Sequence, residues 1–358
     1  MTDAIDRAER RLVGVPRYEP RVSGQPGPVG IAPDTLAKNE APHGPAESVL
    51  SAARSALVRA HRYPSDTALH AAIARSVGVD QQRVVVTNGA DELAYMVGTV
   101  LIEPGDIAVL ADPGFAVHEI VSRLNGARVR AIPLRQGEHD LAAMARAAES
   151  AAVVWLPNPH NPTGRPVLPQ RLLSFLAAVP STCVVVLDEA YVSFMDDDLR
   201  PDVNALLDDH PTLLVARSLS KDNALAGLRI GYGIGHPRLI SLLRAARPPF
   251  SVNAAAIAAG VAALGEERHR DRMVAAVRAE RRRFESFLQD AGVPFWPSQA
   301  NFVMMDVREW PQIGDELARA GVAARDGSDF GHPGWLRITI GSPAQMSAAR
   351  EAMRRAMF

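Results

Sequence analysis

Cysteine and lysine are the residue types that the sequence uses least. The 358 residues contain one cysteine, Cys183, and of the 39 basic residues only Lys38 and Lys221 are lysine, the rest being arginine. A single cysteine excludes an internal disulfide, and its place in the apolar run 183–187 indicates a small core residue and fits a reducing cytoplasm. Lysine in so arginine-rich a chain suggests a need for an amine that can deprotonate and attack a carbonyl, which a guanidinium cannot do.

Net charge and long apolar runs are lacking as well. The net charge is −1, so neither nucleic acid nor an anionic membrane is an expected partner. No apolar run approaches the roughly 20 residues of a membrane helix, and residues 1–11 are too polar for a secretory signal. We therefore expect a cytoplasmic protein. The ten histidines are scattered and predict no metal site.

Helical segments alternate with short aliphatic runs through most of the chain. Near-continuous aliphatic strands of this kind are typical of a mainly parallel sheet that helices cover on both faces, an α/β fold. We predict an irregular N-terminal arm over 1–45, which packs on the small domain or a partner subunit, a large domain over 46–246 and a smaller α+β domain over 247–358. The predicted strands of the large domain are 84–87, 107–110, 129–132, 153–156, 184–187 and 213–216.

The segment 217–232 holds the chemistry around which the other motifs are arranged. Lys221 follows the strand 213–216, so it lies at a carboxyl strand end, where open α/β sheets usually bind ligands. Ser218 and Ser220 flank it, and Arg229 follows beside glycines that permit close approach of the backbone. A lysine that can form an imine, next to hydroxyls and an arginine that can hold a phosphate, matches the needs of pyridoxal phosphate.

Three other strand ends carry side chains suited to the same cofactor. An aspartate can keep the pyridine nitrogen protonated, a phenol and an amide can hydrogen-bond the ring oxygen, and an aromatic ring can stack on the cofactor. Each residue alone also fits a loop cap or a core position, but the set is hard to explain as packing. The residues are Phe115, Asn161, Asp188 and Tyr191.

A turn at 88–91 precedes a helix that we predict from Glu92 to Ile102. Free backbone N–H groups at such a helix start bind phosphate well. Capping by Asn88 or Asp91 explains the same residues equally well as local structure.

With these motifs, the chain resembles the fold-type I pyridoxal phosphate enzymes, and among them the histidinol-phosphate aminotransferase family. The resemblance implies a three-layer fold of the aspartate aminotransferase type and transfer of an amino group from a small donor to a keto acid such as 2-oxoglutarate. It runs from Pro16 to the last helix and is most specific at 88–92, 161–164, 188–191, 218–229 and 336–341.

The resemblance also implies a role for each site residue. Lys221 would link to the cofactor covalently, Asp188 would face the pyridine nitrogen, and Asn161 and Tyr191 would face the ring oxygen. The residues implied to hold the phosphate are Ala90, Asp91, Ser218, Ser220 and Arg229.

Further positions implied by the resemblance concern the substrate and a second subunit. Tyr63 matches a tyrosine that reaches the phosphate in the neighbouring subunit, which implies a homodimer. Arg337 would bind the substrate's carboxylate or its equivalent, Tyr18 and Asn39 would lie near the substrate, and Arg325 is a candidate for a substrate phosphate.

The chain departs from the family pattern near the substrate side. Phe115 stands where tyrosine is usual, Asp222 and Asn223 replace a small-aromatic pair, and Arg21 replaces a Gly-Lys pair. A decarboxylase of the threonine-phosphate type, or an amino-acid-modifying enzyme of specialised metabolism, would share the same motifs. A nucleotide-binding module is a further alternative, although the glycine run 231–235 lacks the spacing of a dinucleotide loop.

Overall fold

The computed structural model describes residues 4–18 and 36–357. Much of the predicted N-terminal arm, including Arg21, lies outside the described residues. The α-helices are α1 Ala4–Leu12, α2 Glu47–Leu57, α3 Thr67–Val77, α4 Gly89–Leu101, α5 Ala116–Leu124, α6 Leu141–Ala148, α7 Pro169–Ala178, α8 Val203–Asp209, α9 Pro237–Ala246, α10 Ala254–Gly265, α11 Glu267–Asp290, α12 Ile313–Arg319 and α13 Pro343–Met357.

The strands form two separate sheets. The larger sheet has seven strands in the order β1-β7-β6-β5-β4-β2-β3, and the smaller has four in the order β10-β11-β9-β8. The bounds are β1 Val84–Thr87, β2 Ile107–Asp112, β3 Arg128–Pro133, β4 Val153–Pro157, β5 Val184–Asp188, β6 Leu213–Ser218, β7 Gly231–Gly235, β8 Phe295–Trp296, β9 Phe302–Asp306, β10 Arg325–Asp326 and β11 Trp335–Thr339.

The large sheet is mainly parallel and, apart from its edge strand β3, is buried on both faces. β7 runs antiparallel to β1 and β6, whereas the pairings among β2 to β6 are parallel. Successive residues of a strand point to opposite faces, and in β4 Val154 and Leu156 join one apolar core while Val153 and Trp155 join the other. Two cores on one sheet give three layers, and the predicted α/β class is confirmed.

Strand β7 occupies the glycine run that was compared with a dinucleotide loop. Its glycines serve close packing: a Cβ added to Gly231 would lie 2.3 Å from the carbonyl carbon of Gly89, and one added to Gly233 would lie 3.0 Å from Leu93. The run therefore lets α4 pack directly on the sheet.

The small antiparallel sheet packs against α11 and α13. Phe302 of β9, Ile338 of β11 and Phe284 of α11 are fully buried in one core. Leu36 of the arm belongs to this core, and its carbonyl accepts a hydrogen bond from Thr339 N at 2.7 Å. The described end of the arm thus runs along the small domain.

Helix α10 follows the predicted boundary at residue 246 in the chain but packs on the large domain. It packs against α2 and α3, and Ala256, Ile257 and Ala259 are buried in the core of the large sheet. We therefore propose a boundary after Gly265, where α11 begins. Across the described part of the chain, no helix combines the length and the apolarity needed to cross a membrane.

Candidate active site

Polar residues at the carboxyl ends of the large-sheet strands face the small domain across a cavity of about 390 Å³. The cavity brings together all the predicted site residues except Tyr63. It is lined by Tyr18, Asn39, Ala90, Asp91, Phe115, Asn161, Asp188, Tyr191, Ser218, Ser220, Lys221, Arg229, Arg325 and Arg337.

Lys221 lies in the turn that follows β6, and its amine is held inside the cavity. Nζ donates a hydrogen bond to the carbonyl oxygen of Lys38 at 3.2 Å and lies 5.6 Å from the centre of the Tyr191 ring. Burial is the main cause that lowers the pKa of this amine to about 8; the positive charge of Arg337 contributes to the shift, and Glu40 opposes it. Near neutral pH a larger fraction of this amine than of an ordinary lysine is therefore unprotonated and nucleophilic.

The start of α4 forms one wall of the cavity and is not capped by Asn88. This helix begins at Gly89, earlier than the predicted Glu92, and Asn88 makes no side-chain capping bond. Capping by Asn88 is therefore wrong as an explanation of this turn. Ala90 and Asp91, in the first turn of the helix, line the cavity. Backbone N–H groups at a helix start suit an anion.

Two hydroxyls and a guanidinium lie at the same wall. Ser218 Oγ donates to Ser220 Oγ at 2.8 Å, and Arg229 Nη2 donates to Asp91 Oδ2 at 3.1 Å. Arg229 has a left-handed backbone, with φ of 56°, which is uncommon for a residue with a side chain. Its guanidinium passes so close to Gly89 that an added Cβ would lie 2.5 Å from Nη2.

Asp188 ends β5 and is oriented by two neighbours. Oδ1 accepts a hydrogen bond from Ala190 N at 3.0 Å, and Oδ2 lies 3.5 Å from His118 Nε2. The His118 ring in turn stacks on Trp155 with a centroid distance of 4.6 Å. The sequence prediction missed His118, and its position one helical turn after Phe115 was the available signal.

A chain of hydrogen bonds joins the arm to the far wall of the cavity. Asn39 Nδ2 donates to Tyr191 Oη at 3.0 Å. Arg337 donates from Nη1 to Asn161 Oδ1 at 2.6 Å and from Nη2 to the carbonyl oxygen of Ala37 at 2.9 Å. Burial raises the pKa of Tyr191 to about 12 and lowers that of Arg337 to about 10, so the phenol remains protonated and the guanidinium charged near neutral pH.

Arg325 lies beside Arg337 but is engaged by other groups. Its Nε donates to Asp329 Oδ2 at 2.6 Å, and its guanidinium lies 5.7 Å from the centre of the Tyr18 ring and 5.4 Å from that of Phe330. The sequence prediction missed Asp329 and Phe330, which follow in the segment Gly327–Phe330.

Tyr63 is not part of the cavity within this chain. Its side chain is 82% exposed and stacks on Phe250 with a centroid distance of 4.6 Å. The expectation that Tyr63 completes the site of a neighbouring subunit stays a prediction.

Comparison with known proteins supports the same chemistry. Residues 35–353 match the family described as aminotransferase class I and II. The histidinol-phosphate aminotransferase of Symbiobacterium thermophilum is 39% identical over 90% of each chain, and histidinol-phosphate aminotransferase 1 of Cupriavidus pinatubonensis is 40% identical over 90% of this chain and 88% of its own length. The crystal structure of the Sinorhizobium meliloti histidinol-phosphate aminotransferase in complex with pyridoxal-5'-phosphate superposes with a TM-score of 0.83, at 28% identity over 90% of each chain.

These matches confirm the predicted fold type and the predicted class of pyridoxal-phosphate-dependent aminotransferase. The chain therefore belongs to the aminotransferase class I and II family.

Proposed function

We propose that the chain transfers an amino group between histidinol phosphate, or a closely similar small donor with an anionic end, and 2-oxoglutarate. The observation that carries this proposal is a cavity with an unusually acidic lysine amine at one wall and two buried arginines at another. The names of the relatives in Symbiobacterium thermophilum and Cupriavidus pinatubonensis support histidinol phosphate as the donor.

The residues present fit pyridoxal phosphate. The uncapped start of α4, the paired hydroxyls of Ser218 and Ser220, and Arg229 are suited to its phosphate. The carboxylate of Asp188 is suited to a protonated ring nitrogen, because it is only partly shielded from the cavity, accepts a hydrogen bond from Ala190 N and lies 3.5 Å from His118 Nε2. Phe115 offers an aromatic face for stacking.

Asn161 and Tyr191 are suited to the ring oxygen of the cofactor. Both line the cavity, and the raised pKa of Tyr191 keeps its phenol a hydrogen-bond donor. When bound, pyridoxal phosphate supplies an aldehyde carbon for the donor amine and a ring that accepts electrons.

Lys221 is proposed to attach the cofactor and then to move the proton at the α carbon of the donor. Both tasks need a neutral amine, and the pKa of about 8 provides one close to neutral pH. Arg337 is proposed to fix the anionic end of the donor. Its hydrogen bonds to Asn161 and Ala37 hold the guanidinium in place, which favours a donor that stays clamped over one that loses a carboxylate.

We further propose a cytoplasmic homodimer in which Tyr63 reaches the partner's cofactor phosphate. The exposed, stacked pair of Tyr63 and Phe250 supports a contact with another chain, because a large apolar surface at such a position is usually covered. The buried free Cys183, whose pKa burial raises to about 12, is inert and is compatible with a reducing compartment.

A single-turnover reaction tests the proposed donor. Protein loaded with pyridoxal phosphate is mixed with histidinol phosphate without keto acid, and the visible absorption of the bound cofactor is followed. We expect stoichiometric loss of this band together with formation of imidazole-acetol phosphate. An unchanged band would reject histidinol phosphate as the donor and direct the search to amino acids and to the decarboxylase alternative.

A further inference from the structure

Two buried arginines face each other directly across the small sheet. Arg325 of β10 is the register partner of Arg337 of β11, and the two residues are 6% and 5% exposed. Like charges opposite each other on neighbouring strands are unfavourable, and more so away from water. A counter-anion at this place therefore stabilises the empty site.

Asp329 supplies that counter-anion. Its Oδ2 lies 2.6 Å from Arg325 Nε, and the two side chains are 8% and 7% exposed. Its negative charge also raises the pKa of Arg337, although burial dominates there. Asp329 is not needed to cap the segment Gly327–Phe330, because Asp326 Oδ1 already accepts from Ser328 N at 2.8 Å.

Arg325 is held in this pairing from other sides as well. The rings of Tyr18 and Phe330 each lie within 6 Å of its guanidinium, a cation–π arrangement that favours the observed position. An anion that enters the cavity thus meets two different arginines. No described carboxylate contacts Arg337 within hydrogen-bonding distance, whereas Asp329 already offsets the charge of Arg325.

We propose that Asp329 is a specificity-determining residue that disfavours a phosphate on the donor and favours a carboxylate. This inference rests on the proposed function and refines its donor. A carboxylate carries one charge and needs only Arg337. A phosphate monoester carries between one and a half and two charges near pH 7 and has to share Arg325 with Asp329 at close range. Asp329 therefore shifts the relative affinity of the site away from a phosphorylated amino alcohol and toward the corresponding α-amino acid.

Equilibrium binding of unreactive ligand pairs tests the inference. The loaded enzyme is titrated calorimetrically with 3-(imidazol-4-yl)propanoate and 3-(imidazol-4-yl)propyl phosphate, which lack the amine and differ only in the anionic end. The same titrations with propanoate and propyl phosphate, the matching pair without the ring, remove any dependence on the ring. Asp329→Asn is compared with the wild type, and Asp315→Asn, which removes an exposed charge of α12, is the matched control.

We expect Asp329→Asn to tighten binding of the phosphate ligands roughly tenfold while leaving the carboxylate ligands within about twofold, because a nearby like charge is removed. Asp315→Asn should change neither. Equal changes for the two anions, or none, would overturn the inference. If Asp329→Asn does not fold, Asp329→Ser is titrated in its place. If the imidazole ligands bind no better than the two ligands without the ring, an imidazole-containing donor is rejected. The two ligands without the ring would in that case still test the role of Asp329.

Discussion

Replacing Gly89 with alanine should weaken binding of pyridoxal phosphate through Arg229. An added Cβ would lie 2.5 Å from Arg229 Nη2 and 3.1 Å from Arg229 Cζ. Because these distances are too short for non-bonded atoms, the guanidinium would have to move. Because the clash is with the end of a flexible side chain, the fold should survive. The guanidinium would leave its place beside the start of α4 at this wall of the cavity.

The expected loss of cofactor affinity is estimated by separating two effects of the substitution, one on folding and one on binding. Gly89 has φ of +78°, and a side chain in this region costs about 1–2 kcal/mol of folding free energy. Loss of one charge-assisted hydrogen bond to the cofactor phosphate costs about 1.5–3 kcal/mol of binding free energy. The dissociation constant of pyridoxal phosphate should therefore rise roughly 10- to 100-fold.

Gly78→Ala separates these effects. Gly78 has nearly the same φ, +77°, and an added Cβ would meet only Asn204 Nδ2, at 3.6 Å. Both variants should lose similar thermal stability, but only Gly89→Ala should lose cofactor affinity, measured by absorbance titration. Pyridoxal without its phosphate should bind the two variants equally. Equal affinity of the two variants for pyridoxal phosphate would refute the role given to Arg229.

Three further predictions concern the lysine and the donor end of the cavity. Lys221→Ala should abolish covalent attachment of the cofactor, and borohydride labelling that mapped to Lys38 would contradict the assignment. The rate of covalent capture by cofactor-free protein should rise with pH with a midpoint near pH 8, since only the neutral amine reacts. Glu40→Gln should move this midpoint downward, because Glu40 raises the pKa of Lys221. A midpoint near the pKa of free lysine would refute the argument. Arg325→Ala should weaken a phosphorylated donor far more than an unphosphorylated one in KM measurements, and equal losses would remove Arg325 from donor binding.

The parts of the fold that the sequence predicted are those with strong aliphatic signals. The strands from β1 to β6 consist mainly of Val, Leu and Ile, and their positions were confirmed to within about two residues. Helix α10 and strand β7 were not predicted, because 254–265 is mostly alanine without a polar face and 231–235 is mostly glycine. Their structure comes from packing against α2 and α4, which no local pattern reveals.

The site was predictable where residues lie at strand ends and not where their partners are remote in sequence. Lys221 and Asp188 follow aliphatic strands and could be placed at one edge of the sheet. The contact between Asp188 and His118 joins residues from β5 and α5, and the opposition of Arg325 and Arg337 depends on the register of a two-residue strand. The role proposed for Asp329 could therefore be recognised only from the three-dimensional structure.

The central claim is that the chain transfers an amino group with Lys221 as the proton carrier. Transfer of nitrogen from ¹⁵N-labelled glutamate to the bound cofactor tests this claim whichever donor the chain uses. Protein loaded with pyridoxal phosphate is mixed with the labelled glutamate, and the products are identified by mass spectrometry. We predict ¹⁵N-pyridoxamine phosphate and 2-oxoglutarate in equal amounts, and neither from Lys221→Ala. Release of carbon dioxide with the label retained on the glutamate skeleton would contradict the account.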